Sequence, residues 1–229
     1  MKNIIISENQ LRFIIKEMAY PQTFNMDEFK SIRSFKDRIE YCKQRLRRLG
    51  AGTSRIVFEI DNEKVLKLAK NGKGIGQNQE EIRMGNDMYA SNCFAEVYDY
   101  DNTGTFLEME RARPAKESDF ERLVGFPFDM YCDFITRCAL NYLGNRNKNP
   151  WIRVNHAYDD AYNNLIDEWD SDLFIYNVFE YMQNFQLITW GDLTRISSYG
   201  VVNRNGQEEM VIIDFGFTED VYNNYYRKK

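Results

Sequence analysis

Histidine is almost missing from this chain. His156 stands alone, so a zinc site or a nucleophile triad built on histidine has little to draw on. Cysteine is sparse too. Cys42, Cys93, Cys132 and Cys138 show no metal-ligand spacing, and the last two stand six residues apart, unlike a C-x-x-C pair. They read as free thiols packed in a reducing compartment. No apolar run approaches the ~18–20 residues of a membrane span. The opening Met1-Lys2-Asn3-Ile4-Ile5-Ile6-Ser7 has too short an apolar run and no small-residue cleavage site for a signal peptide. The expectation is a soluble protein that is not secreted. Excess positive charge is also absent: 30 Lys and Arg meet 35 Asp and Glu, a net charge of −5. A general nucleic-acid binder would be basic overall. No internal repeat or low-complexity tract occurs.

What is present is core material. Of 229 residues, 43% are hydrophobic and 15% aromatic, mostly Tyr and Phe. That suffices for one two-lobed domain or two small ones, with ring packing inside. Residues 7–18 read as a short helix, with Ser7 and Gln10 as a capping box and Leu11, Ile14, Ile15 and Met18 on one face. Tyr20-Pro21-Gln22 breaks it. A second helix is expected from about Asp27 to Arg48, with Phe29, Ile32, Ile39, Cys42 and Leu46 as its stripe. Lys43, Arg45, Arg47 and Arg48 crowd its last turn, where cations suit the helix dipole or would dock an acidic partner.

From Ser54 the pattern changes to strands. Residues 55–60 and 64–69 form a hairpin signal around Asp61-Asn62-Glu63. Asn71 to Gly74 reads as a loop, and Gln77 to about Tyr89 as a helix. Residues 94–100 and 105–110 form a second strand pair, and Pro114 marks a boundary. Helices are expected at 117–124, 128–143, 157–169 and 171–185, with Ser171 capping the last. Strands at 187–190, 200–202 and 210–214 follow.

Two stretches carry chemistry. Gly50-Ala51-Gly52-Thr53-Ser54-Arg55 puts two glycines in a turn between strands, where phosphates can approach backbone N–H groups. Lys67 then stands among Val65, Leu66, Leu68 and Ala69, a setting in which a lysine needs a partner. Glu80 and Glu81 both offer a carboxylate. Helix phase favours Glu81, four residues from Gln77. Near the end, Ile212-Ile213-Asp214-Phe215-Gly216 sets a carboxylate at an apolar strand end.

In this order the motifs resemble the protein-kinase-like fold, from about Leu49 to Phe217. More narrowly, the glycine loop, Val65-Leu66-Lys67-Leu68-Ala69, Lys73-Gly74-Ile75-Gly76-Gln77-Asn78 and Tyr199-Gly200-Val201-Val202 look like small kinase-like proteins of tailed bacteriophages, as does Ile6-Ser7-Glu8-Asn9-Gln10-Leu11. The resemblance implies an α+β, two-lobed fold. Residues 1–48 would form a helical extension, 49–113 a small lobe with an antiparallel sheet, and 114–229 a reduced helical lobe.

The resemblance also implies ATP and Mg2+ as cofactors. Gly50, Gly52, Thr53 and Ser54 would cover the phosphates, Lys67 would hold them and Glu81 would pair with Lys67. Backbone groups near Met109 and Glu110 would hold the adenine edge. Asp192, in Gly191-Asp192-Leu193, matches the proton-accepting aspartate, although Gly191 replaces the family's arginine. Asp214 would bind the metal. Ser198 stands where the family places its metal-binding Asn. The chain ends thirteen residues after Gly216, so the usual platform for a peptide substrate is not expected.

Two functions follow from this resemblance: a minimal phosphotransferase, or an inactive, pseudokinase-like component of a virion or modulator of a host protein. The second would use the N-terminal helices as its interface. The expected location is the host cytoplasm or the virion.

Overall fold

The computed structural model describes residues 20–86, 93–143, 153–168, 170, 173–184 and 190–227. Two antiparallel sheets and a set of helices give an α+β architecture. The first sheet contains β1 (Arg47–Ala51), β2 (Arg55–Glu59), β3 (Lys64–Ala69), β4 (Val97–Tyr100) and β5 (Phe106–Glu110), in the order β1-β2-β3-β5-β4. Its pairings put Val57 opposite Lys67, and Lys67 opposite Leu107.

Side chains alternate across a strand, so this sheet has two faces. Ile56, Phe58, Leu66, Leu68 and Phe106 point to the outer face. There they meet α1 (Met26–Ser31) and α2 (Phe35–Arg45), through Phe29, Tyr41 and Cys42, with Tyr20 and Phe24 alongside. The rings interlock: Phe24 lies edge-on to Tyr41 at 5.2 Å, and Phe29 edge-on to Phe106 at 5.2 Å. Tyr20 donates its hydroxyl to Glu108 at 2.9 Å. Val65, Leu107 and Met109 point to the inner face and join the larger core.

The single helix expected over 27–48 is two helices and a strand. Ser34 accepts a hydrogen bond from the Asp37 amide and caps a new helix after the extended Ile32. Arg47 and Arg48 belong to β1, opposite Glu59 and Phe58, rather than to a last helical turn. Arg47 there pairs with Glu59. The boundary drawn at 48/49 therefore falls inside a strand. The helix expected over 7–18 lies outside the described residues.

The stretch Asn71–Gly74, expected as a loop, opens a helix. Asn71 caps α3 (Gly72–Gly85) by accepting from the Gly74 amide at 3.2 Å. The glycines reflect proximity: a Cβ on Gly74 would lie 2.2 Å from the Ser54 carbonyl oxygen and 3.0 Å from the Ala69 Cα. The helix thereby lies directly on the end of β3 and on the residue that leads into β2.

After β5 the chain crosses at β6 (Arg113–Pro114), which pairs with β7 (Tyr199–Arg204) and, through it, β8 (Gln207–Ile212). Helices α4 (Glu117–Leu123), α5 (Phe128–Leu143), α6 (Asp159–Asp167) and α7 (Phe174–Asn184) build the second lobe, followed by the short α8 (Trp190–Leu193). The β7–β8 hairpin turns at Asn205-Gly206, both with positive φ (54° and 83°), as a two-residue turn of that hand demands. Of the strand expected over 187–190, residues 187–189 lie outside the described residues, as does the expected cap Ser171, and Trp190 opens a helix instead. A parallel bridge between Phe94 and Ile212 ties the lobes together. No helix among the described residues is long and apolar enough to cross a membrane.

Candidate functional site

Four charged side chains converge between β2, β3, α3 and the segment after β8. Lys67, at the middle of β3, turns to the inner face and is 5% exposed. Its ammonium donates to Glu81 at 2.8 Å and to the Ile213 carbonyl at 2.6 Å. Glu81 comes from the third turn of α3 and is wholly buried. Its second oxygen accepts from the Phe215 amide at 3.3 Å. Helix phase thus selects Glu81 over Glu80, which pairs instead with Arg83 near the surface.

The fourth member was not singled out in the sequence. Arg55, the first residue of β2, shares a face with Val57 and so with Lys67. It bonds Glu81 at 2.8 Å and pairs with Asp214 across the cleft. Asn78, fully buried on α3, accepts from Arg55 at 3.4 Å and donates to the Gly104 carbonyl at 2.9 Å. The available signal was an arginine two positions before an inward-facing strand residue.

Burial opposes ionisation of all three buried members, and the outcome differs. Burial, reinforced by Arg55, holds the Lys67 ammonium below its usual value against the pull of Glu81. For Glu81, burial acts to raise the pKa, but Arg55 and Lys67 outweigh it and the carboxyl lies low. For Arg55, burial acts to lower the value and the two carboxylates more than offset it. Glu81 and Arg55 are thus each held in the charged form by their neighbours.

The Asp-Phe-Gly segment is firmly seated. Phe215 stacks on Phe94 with ring centroids 4.1 Å apart, and Tyr181 donates to its carbonyl at 3.0 Å. A Cβ on Gly216 would meet the Gln77 carbonyl oxygen at 2.3 Å, which lets this segment pass close beneath α3. The Asp214 side chain itself remains 58% exposed.

The remaining expected site residues divide. Of the two glycines expected in the turn, only Gly52 lies there; Gly50 is a strand residue of β1 opposite Val57, and a Cβ on it would meet nothing within 4 Å. The Gly52 amide donates to the Arg55 carbonyl at 2.9 Å, and its carbonyl accepts from Lys70 at 2.8 Å. Thr53 is exposed, with its carbonyl held by Asn71 at 3.3 Å. Ser54 is buried and donates to Gln77 at 2.6 Å, away from the open turn. Glu110 binds Arg204 at 2.6 Å through its carboxylate, and its amide donates to the Glu96 carbonyl at 2.8 Å. That amide is thus already committed within the sheet edge.

Asp192 sits in α8, paired with Arg195 at 3.1 Å. Burial, with Asp214 nearby, raises its carboxyl above the ordinary value although Arg195 opposes this. Ser198 is buried, and its hydroxyl donates to the Asp192 carbonyl at 2.7 Å.

The residues expected to hold Mg2+ do not fit that ion. Of the pair, Asp214 faces a guanidinium and Ser198 is turned to a backbone carbonyl. No cluster of three or more Asp, Glu, His or Cys side chains suited to a metal occurs among the described residues. A hard dication wants several oxygens at once.

No family model matches this chain, and no curated protein matches it. Among solved structures, it is similar to a streptomycin–ATP ternary complex of APH(2")-IIa, at 12% identity and a TM-score of 0.33, over 93% of this chain and 72% of that one. It is also similar to a GDP complex of a mutant aminoglycoside 2'-phosphotransferase-IIIa, at 15% identity and a TM-score of 0.34, over 83% and 69% of the two chains. A third, the GDP and kanamycin complex of APH(2")-IIIa, gives 14% identity and a TM-score of 0.34, over 84% and 71%. Likenesses this distant transfer no residue role and no substrate.

Proposed function

We propose that the cleft between the two sheets is a kinase-like nucleotide site, and that the chain is a minimal ATP-dependent phosphotransferase of the small phage-encoded kind. The observation that carries this reading is the buried Lys67–Glu81 contact of 2.8 Å, with Asp214 joined to the same set through Arg55. A lysine and a glutamate taken out of water together are costly, and hold an ammonium at a fixed place in a cleft. Lys67 would meet the nucleotide phosphates as a point charge, and the Gly50–Gly52 segment would cover them. Asp192, with its raised carboxyl, would take the proton of an acceptor hydroxyl as that oxygen bonds to phosphorus and the nucleoside diphosphate leaves. The lobes would divide near Arg113–Pro114.

The test is a thermal melt with and without ATP. A ligand that binds only the folded form adds about 2.7 kcal/mol at 100 times its Kd. ATP is expected to raise the midpoint of the natural chain and not that of Lys67→Ala. An unchanged midpoint at millimolar ATP, with or without a divalent ion, would defeat the reading.

A second reading is favoured by two observations: Arg55 is paired with Asp214, and Ser198 is bonded internally. In it the chain is a pseudokinase-like interaction protein whose partner is a host or virion protein bound through the N-terminal segment. The apolar side chains of α1 and α2 are already used against the sheet. Such an interface would therefore draw on their polar faces or on residues before Tyr20.

A further inference from the structure

We propose that Arg55 is the resident cation of the cleft, standing at Asp214 in the place a divalent metal would take, so that Asp214 is not a metal ligand. The extension of this idea to nucleotide binding rests on the nucleotide reading above; the Arg55–Asp214 relation does not.

Four observations converge. The first is position. Arg55 lies on the same face of the sheet as Lys67 and reaches past it, with one terminal nitrogen on Glu81 and the other on Asp214. The second is construction. The Arg55 side chain is only 9% exposed, and the fully buried Asn78 accepts from it while anchored to the Gly104 carbonyl. An arginine that merely strayed onto a surface aspartate would have no such support behind it. Guanidinium also suits this task better than ammonium, since its planar fork serves two carboxylates at once.

The third observation is charge. Arg55 and Lys67 balance Glu81 and Asp214 without any ion. A dication added to that set would bring two uncompensated positive charges up against the buried Arg55, Lys67 and Glu81. The fourth is the seat of Asp214: the next residue, Phe215, stacks on Phe94 and gives its amide to Glu81, so the backbone fixes Asp214 beside the guanidinium. If the cleft takes a nucleotide, its phosphates meet Lys67 and Arg55, and their binding does not require a divalent ion.

The direct experiment is Mn2+ uptake by the full chain without nucleotide, read from the electron paramagnetic resonance of free Mn2+. The natural chain should bind none at this site at millimolar Mn2+. Arg55→Gln should gain one site, and Arg55→Gln with Asp214→Asn should lose it. A natural chain that takes up Mn2+ and loses it in Asp214→Asn overturns the proposal. So does an Arg55→Gln chain that folds and gains nothing.

If Arg55→Gln does not fold, the natural chain and Asp214→Asn alone decide the question. Equal absence of Mn2+ from both supports the proposal, and uptake by the natural chain alone defeats it. A second arm titrates ATP into the natural chain in EDTA and in Mg2+. Apparent affinities equal within about twofold are expected, and a loss of about tenfold or more in EDTA overturns metal independence. Failure of ATP to bind in both media defeats the nucleotide reading, while the Mn2+ arm still judges Arg55.

Discussion

Glu81 is wholly buried and faces two cations, so it is the residue on which the cleft depends most. Removing one member of a buried charge set typically costs about 3–5 kcal/mol, because the others stay buried without compensation. Glu81→Ala should fall in that range, measured by urea unfolding, and should cost more than Asp214→Ala, whose side chain is largely in water. Equal losses for the two would show that Arg55 and Lys67 do not lean on Glu81. The Lys67–Glu81 pair was legible in the sequence because a lysine in an apolar strand has to find a carboxylate. Arg55 was not. Its role depends on Asp214, which is distant in the sequence and brought near only by the fold. Ser54 was misplaced for a similar reason. Its small polar side chain suits a phosphate loop, but one residue further along the turn it points inward to Gln77.

At the scale of elements, α3 is the piece that organises the cleft, and its glycines show how. Gly74 faces the sheet and Gly76 faces the C-terminal turn, where a Cβ would meet the Tyr225 ring at 2.5 Å. The two contacts have different give. Tyr225 is an exposed side chain that can swing aside, while the Ser54 carbonyl is backbone. Gly74→Ala should therefore destabilise by about 1–3 kcal/mol, as overpacking does. Gly76→Ala should cost less, offset in part by alanine's better helix propensity, about 0.8–1.0 kcal/mol. Paired thermal melts would check this, and a larger loss at Gly76 would refute it. The same glycines explain why the start of α3 was read as a loop. Glycine is a poor helix former, and only the neighbouring strand reveals that closeness selected it. Helices with clear stripes, such as α4 and α5, were legible nearly to the residue. The segment 27–48 was not, since a β-strand with two arginines reads like the basic end of a helix until its partner strand is known.

Across the molecule, the chain between the lobes is pinned by acid. Asp119, at the start of α4, accepts from Arg113 at 2.7 Å, from Arg122 at 2.9 Å and from the Lys116 amide at 2.9 Å. Arg113 and Arg122 also reach Glu208 on β8, at 3.0 and 2.7 Å. The arginine bonds hold the Asp119 carboxyl well below the usual carboxylate range. A carboxyl whose value falls on folding binds fewer protons in the folded chain. Its stabilising effect is thus full above about pH 4, the ordinary value of an aspartate, and fades as the pH falls toward the lower folded value. Asp119→Asn should lower the melting midpoint at neutral pH, and the gap to the natural chain should narrow under acid. A gap that stays constant with pH would assign the loss to packing alone.

The Arg55–Asp214 contact joins residues 159 positions apart. A growing polypeptide makes its N-terminal part first. Arg55, Lys67 and Glu81 are therefore synthesised, and can come together, long before Asp214 exists. During that interval the small lobe holds two cations against one carboxylate. The formal charges of this set balance only once Asp214, two residues past β8, has been made, so completion of the second lobe is also what discharges the first.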